Sequence, residues 1–209
     1  DMGAEVIRID KLSGSEDRYL VPVAESGEGP LFLALNRNKK SLTLNPMKPQ
    51  GREIVENLVK TADIVIANLP QPTLEAMGID YDSLRAIKPD IILTTVTAYG
   101  NGGPYSERVG FDGVAQALAG ATYMGGRPGD PMKSFVPFAD FGTATMAAFG
   151  TLSALIERNK TGNGQLVEAA LTRTVMAFNI ALLAEEAIKS IDRPSYGNRG
   201  YSAGPSDIF

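Results

Sequence analysis

The sequence predicts an α/β fold, an open and mainly parallel Rossmann-like sheet with flanking helices. Strands alternate with helices along the chain at the spacing such folds require. Residues 63–67 (DIVIA) form a continuous apolar run, the pattern of a strand buried on both faces of a parallel sheet. Residues 141–158 form a long helical run rich in small side chains, which is broken at 161–164 (TGNG) and followed by a short strand.

The elements come in order along the chain. Residues 5–10 (EVIRID) read as a strand that runs into a polar loop at 13–16. Residues 18–30 carry Gly and Pro without a clear period and read as a loop. A short strand is expected at 41–44. A helix is expected at 49–60, where Pro49 suits the start and Ile54, Leu58 and Val59 share an apolar face. After the strand at 63–67 come short helices at 73–77 and 81–87, the second stopped before Pro89. Residues 90–97 (DIILTTVT) are rich in β-branched side chains and read as a strand. NGGP at 101–104 is a turn, 111–118 a helix ended by Gly120, and 125–131 a loop. A strand at 165–168 and one long helix near 172–191 complete the pattern. The small residues Gly142, Ala144, Ala147, Ala148, Gly150 and Ala154 suit close packing of the 141–158 helix.

Composition narrows the chemistry. The 209 residues hold neither Cys nor His. That removes disulfides, thiolate nucleophiles, imidazole zinc sites, histidine general bases and Ser-His-Asp machinery. No metal site is expected. A net charge of -4 gives no nucleic-acid footprint. The apolar stretch 146–156 is shorter than the roughly 20 residues of a membrane span. With no signal peptide visible, the expected setting is the cytoplasm, with no membrane partner.

Asp140 stands out as a single acid between an apolar stretch and the long helix. It suits a helix N-cap, because its oxygen can accept from a first-turn amide. It also suits covalent chemistry, since a carboxylate can attack an activated carbonyl and carry an acyl group. From the local sequence both readings stand. The run Asn36-Arg37-Asn38-Lys39-Lys40 is either a solvated basic loop or a site for phosphates. In sheets of this class ligands bind beyond the carboxyl ends of the strands, so the turns after Lys11, Ala67 and Thr97 are the candidate positions.

A wider pattern is more specific. Residues 1–10 read DMGAEVIRID, 36–45 NRNKKSLTLN, 62–69 ADIVIANL, 99–116 YGNGGPYSERVGFDGVAQ and 160–171 KTGNGQLVEAAL. In this order they resemble the class III coenzyme A transferases, a family that includes formyl-CoA transferases and alpha-methylacyl-CoA racemases. The family patterns are NRxKrSlxLd, ADvlveNf, GfGxxGPyxxrxgyDxxxQ and rTGrGqxVdvsL. The resemblance covers almost the whole chain. It implies a CoA-transferase that moves CoA between an acyl-CoA and a small carboxylic acid, with Asp140 as nucleophile, through an aspartyl anhydride and an aspartyl-CoA thioester. It implies CoA contacts at Lys11, at Leu44, Asn45, Pro46 and Met47, at Asn68, Leu69 and Pro70, and around Val109, Phe111 and Asp112. It also implies an interlocked homodimer. Residues 1–185 would form the large CoA-binding domain without its first βα unit. Residues 186–209 would end a helix and begin the linker to a small domain, so the chain reads as about half a subunit.

The chain departs from the family in places. Phe111 stands where the racemases have a His, and a phenyl ring transfers no proton, so racemisation by that route is disfavoured. ANLPQP replaces the usual ENFxPG, and Ala76 stands where a basic residue is frequent. Intramolecular CoA transfer within the same family, and a CoA-binding fragment without catalysis, remain as alternatives.

Overall fold

The computed structural model describes residues 3–20, 22–200, 202 and 204–207. Parts of the expected loop 18–30 and of the expected linker 186–209 lie outside the described residues. The chain divides into two compact units, Asp1–Leu58 and Val59–Phe209.

In the first unit, strand β1 (Val6–Asp10) pairs in parallel with β2 (Lys39–Thr43), from Val6 opposite Lys39 to Asp10 opposite Thr43. A 3-10 turn at Glu16–Tyr19 and helix α1 (Pro30–Leu35) lie between them in sequence. Six residues are too few for α1 to show a helical period, and it forms around an aromatic anchor. The Arg18 and Arg8 guanidiniums stand 3.9 and 5.1 Å from the Phe32 ring centroid. Arg8 also ion-pairs with Asp10 at 3.0 Å and Asp17 at 2.8 Å, and donates to Asn36 Oδ1 at 2.7 Å. The Arg8 hydrogen bond draws the Asp17 carboxyl down to about 2. Helix α2 (Pro49–Val59) comes after β2 and agrees with its expected bounds to one residue.

The second unit carries a three-stranded parallel sheet in the order β3-β4-β7, from β3 (Ile64–Ala67), β4 (Ile92–Thr97) and β7 (Leu166–Ala170). Helices α3 (Gln71–Met77) and α4 (Tyr81–Ile87) join β3 to β4. Gly78 ends α3 at φ 69°, and the Asp80 side chain caps α4 by accepting from Ser83 N at 3.1 Å. Helices α5 (Asp112–Leu118) and α6 (Ala121–Met124) come after β4. A small antiparallel hairpin, β5 (Gly126–Arg127) and β6 (Asp130–Pro131), occupies the expected loop. Then come α7 (Phe138–Thr161), β7, α8 (Leu171–Phe178) and α9 (Ile180–Lys189).

Three expectations change. Burial on both faces belongs to β4, where Ile92, Leu93, Thr94 and Thr95 are all buried. Among the described residues β3 is an edge strand, and its Ile66 is 71% exposed. The single helix expected at 172–191 is two helices divided at Asn179, whose Nδ2 donates to Ala119 O at 3.2 Å. That bond ties the break to the end of α5. The small-residue stripe of α7 is only partly internal: Ala147 and Ala154 are buried, while Ala144 and Ala148 are exposed. The buried line is Thr143, Ala147, Thr151 and Ala154. Its Thr151 hydroxyl lies 2.6 Å from Thr94 on β4 and 2.7 Å from the Ala147 carbonyl, so burial leaves it hydrogen-bonded.

The TGNG break sets β7 in place. Gly162 caps α7 at φ 75°, with its N–H on Arg158 O at 2.7 Å. A Cβ on Gly164 would stand 1.9 Å from Ile91 O, so only glycine lets the chain pass this close to the start of β4. Among the described residues no helix is long and apolar enough to cross a membrane. Gly164→Ala is expected to lower stability by about 1–3 kcal/mol through overpacking. Urea unfolding measures it, and an unchanged midpoint would contradict the close approach.

Candidate active site

Helix α7 begins at Phe138, three residues before the sequence suggests, and Pro137 precedes it without a side-chain cap. A helix start leaves amides that need acceptors. The acceptor here comes from 27 residues upstream, on the first turn of α5: Asp112 Oδ2 accepts from Ala139 N at 2.8 Å. The same oxygen accepts from Asp140 N at 3.3 Å. Asp112 Oδ1 accepts from Gln116 Nε2, and Gln116 Oε1 accepts from Ser134 N at 2.8 Å. Asp112 is 7% exposed and Gln116 is 0% exposed, so both oxygens of a buried carboxylate are used.

Asp140 is therefore not the N-cap that one local reading allowed. It sits inside the first turn of α7, and among the described residues its carboxylate accepts no hydrogen bond. The residue is exposed. Its carboxyl is nevertheless raised above the usual carboxylate range, first by desolvation and then by the negative charge of Asp112. The helix dipole favours an anion at this end, but the first-turn amides that would hold one are given to Asp112.

Packing holds this start rigid. Ala139 is fully buried in a cluster with Ala98, Ala115, Ala119, Leu171 and Val175. Thr143 Oγ1 lies 2.6 Å from Ala139 O and 2.9 Å from Thr174 Oγ1 on α8. A Cβ on Gly142 would come within 2.7 Å of the Phe178 ring, so α7 and α8 touch closely. Thr172 N and Oγ1 both bond Ala98 O at 3.0 Å, joining the chain just past β7 to the chain just past β4. Asp140 thus stands at the carboxyl end of the sheet, where ligands of parallel α/β folds bind.

The other candidates fall in both units. In the second unit, Asn68 is exposed and Leu69 and Pro70 are half-buried at the carboxyl end of β3. Val109 and Phe111 are 72% and 74% exposed, beside the buried Asp112. In the first unit, Lys11 is exposed and pairs with Glu16 at 2.7 Å, a surface contact of small energy. It lines an open cleft of about 430 Å³ with Asp10, Arg18, Tyr19 and Thr43 among others. The Leu44–Met47 stretch is shaped by an Asx turn, Asn45 Oδ1 accepting from Met47 N at 2.9 Å. A Cβ on Gly51 would meet Asn45 O at 2.0 Å, so the first turn of α2 lies directly against this stretch. Met47 is 54% exposed.

Gln116 and Ser134 are the parts of the site that sequence reasoning missed. Asp112 and Gln116 stand at i and i+4 of a helix, a spacing that brings an amide and a carboxylate together. That spacing is the available signal. Nothing local in the sequence marks the Ser134 amide as its third member. Among the described residues no group of three or more acidic side chains is arranged to hold a metal ion.

The family model of CoA-transferase family III matches residues 1–209. An acyl-CoA transferase of Fusarium pseudograminearum is 33% identical over 219 residues, covering 100% of this chain and 48% of that protein. The succinyl-CoA:glutarate CoA-transferase of Homo sapiens is 32% identical over 211 residues, covering 100% of this chain and 48% of that protein. A crystal structure of a CAIB/BAIF family protein from Brucella suis superposes with a TM-score of 0.91 at 34% identity, covering 99% of this chain and 56% of that chain. The chain spans about half the length of the curated relatives it matches.

The raised carboxyl has a consequence for stability. A folded pKa above the unfolded value means that the folded state binds more protons, so Asp140 lowers stability as pH rises through that window. Asp140→Asn is expected to raise the melting temperature at neutral pH, with the gain shrinking as pH falls through the raised folded pKa and gone once pH is below the usual carboxylate pKa of about 4. A variant less stable than wild type at neutral pH would contradict this environment for Asp140.

Proposed function

The chain belongs to CoA-transferase family III, and from that premise we propose that it transfers CoA from an acyl-CoA to a free carboxylic acid, with Asp140 as the nucleophile. The observation that carries the reading is an exposed carboxylate with no hydrogen-bond partner among the described residues, held on a rigid helix start. A nucleophile needs free lone pairs and a fixed position, and this carboxylate has both.

The proposed chemistry balances without proton transfer. An Asp140 oxygen attacks the acyl carbonyl of the donor thioester. The C–S bond breaks, CoA leaves as thiolate, and a mixed anhydride links Asp140 to the acyl group. The thiolate then attacks the Asp140 carbonyl carbon of the anhydride, releasing the donor acid as carboxylate and leaving an aspartyl-CoA thioester. The acceptor carboxylate attacks that thioester and CoA thiolate leaves again. Its attack on the acceptor acyl carbon yields the new acyl-CoA and restores Asp140. Each carboxylate or thiolate consumed is matched by one released. No step therefore needs a Cys or a His, neither of which the 209 residues contain. No metal is assigned a role.

Lys11 and Leu44, Asn45, Pro46 and Met47 in the first unit are carried in the proposal as CoA contacts. So are Asn68, Leu69, Pro70, Val109 and Phe111 in the second. Residues 1–185 as a large CoA-binding domain, a homodimeric assembly and a cytoplasmic setting complete it. Succinyl-CoA and glutarate are the first substrates to test, because they are named for the human relative.

The test is incubation with succinyl-CoA and no acceptor, with intact and peptide mass spectrometry as the readout. A hydroxylamine-sensitive acyl or CoA adduct on Asp140 is expected. Asp140→Ala is expected to lose the adduct and transfer to glutarate while keeping CoA affinity within about twofold, since little binding energy is assigned to the nucleophile. Transfer at the wild-type rate by that variant would end the proposal.

A further inference from the structure

We propose that Asp112, held by Gln116, is the positioning residue of the Asp140 nucleophile, fixing where its carboxylate stands and keeping first-turn amides away from it. The inference rests on the transferase reading of Asp140. It assigns Asp112 a role other than the CoA contact that family resemblance implies.

The geometry is specific. Asp112 Oδ2 takes the amides of Ala139 and of Asp140 itself, so the nucleophile's own backbone is anchored to the carboxylate beneath it. Asp112 Oδ1 is held by Gln116 Nε2. Gln116 cannot turn over, because its Oε1 already accepts from Ser134 N at 2.8 Å. The carboxylate at 112 accepts on both oxygens. An amide at 112 has one acceptor only, so it would oppose its own NH2 to that of Gln116. A flipped Gln116 would then oppose its NH2 to the Ser134 N–H. Asp112→Asn thus breaks the clamp at one point or the other with almost no change of volume.

The clamp also acts through charge. The elements packed against α7 are α5, α8, β4 and β7. Their charged side chains are Asp112 on α5, Arg173 on α8 and Glu168 on β7, with none on β4. The Arg173 guanidinium faces Gly100, and Glu168 accepts from Asn101 Nδ2. On α7 itself the other charges are Glu157, Arg158 and Lys160, in its last turns. Asp112 is the charge whose field reaches Asp140.

The experiment compares Asp112→Asn, Gln116→Met and Asp140→Ala with wild type in the full-length protein. Succinyl-CoA and glutarate are the substrates, with CoA affinity measured separately by calorimetry. For Asp112→Asn, kcat is expected to fall roughly tenfold or more, as misplaced reacting groups do. CoA affinity should stay within about twofold, and the acid limb of the kcat profile should move to lower pH, because removing a like charge eases ionisation of Asp140. Gln116→Met should lower kcat in the same direction at unchanged CoA affinity, and it decides the matter even if Asp112→Asn fails to fold. A purely structural Asp112 would alter melting temperature without moving the acid limb. Wild-type kcat in both variants, or a parallel loss of CoA affinity, would overturn the inference while an inactive Asp140→Ala left the transferase reading intact. An active Asp140→Ala would instead remove the reading itself.

Discussion

A helix start must find acceptors for its first amides, and α7 starts after a proline that offers none from its side chain. The Asp112 carboxylate, buried and brought in from α5, meets that need. The rest of the site depends on this one contact. It lets α7 begin at Phe138, which puts Asp140 inside the first turn rather than ahead of it. It takes up the backbone amides of Ala139 and of Asp140 itself. Desolvation raises the Asp140 carboxyl, and the Asp112 charge adds to that rise. A partly desolvated carboxylate without hydrogen bonds is a better nucleophile than one engaged as a cap.

The sheet supplies the platform. β4 is paired on both sides and nearly fully buried, and α7 lies on it through a line of small and hydroxyl side chains. Gly164 brings β7 against the start of β4, and Thr172 joins the two chains beyond their carboxyl ends. These contacts fix the ends of β4 and β7, and α5, α7 and α8 pack on them around Ala98, Ala139 and Val175. The position of Asp140 is therefore set by regular elements.

Much of this is legible in the sequence. Hydrophobic run and β-branched composition locate β3 and β4, and Pro and Gly locate the helix ends at 89 and 162. A cap role for Asp140 is the misleading local reading, because capping preferences are local and the real cap is 27 residues away. β3 reads as fully buried by composition, yet it lies at the edge of the sheet among the described residues, and strand order is not written in any one strand. The break at Asn179 is decided by a bond to Ala119 that no periodicity reveals. Helix α1 is held by stacking of Arg8 and Arg18 on Phe32, again across long stretches of chain. Local patterns mark the elements, and long-range polar contacts give the site its detail.

The central claim is that Asp112 holds the start of α7. Amide hydrogen exchange at Ala139 and Asp140, resolved by NMR in wild type and in Asp112→Asn, tests it most directly. Protected amides are expected in the wild type, with a marked loss of protection at these two positions in the variant and the amides of β4 unchanged. Equal protection at Ala139 and Asp140 in both proteins would mean that the helix start is held by something other than this carboxylate.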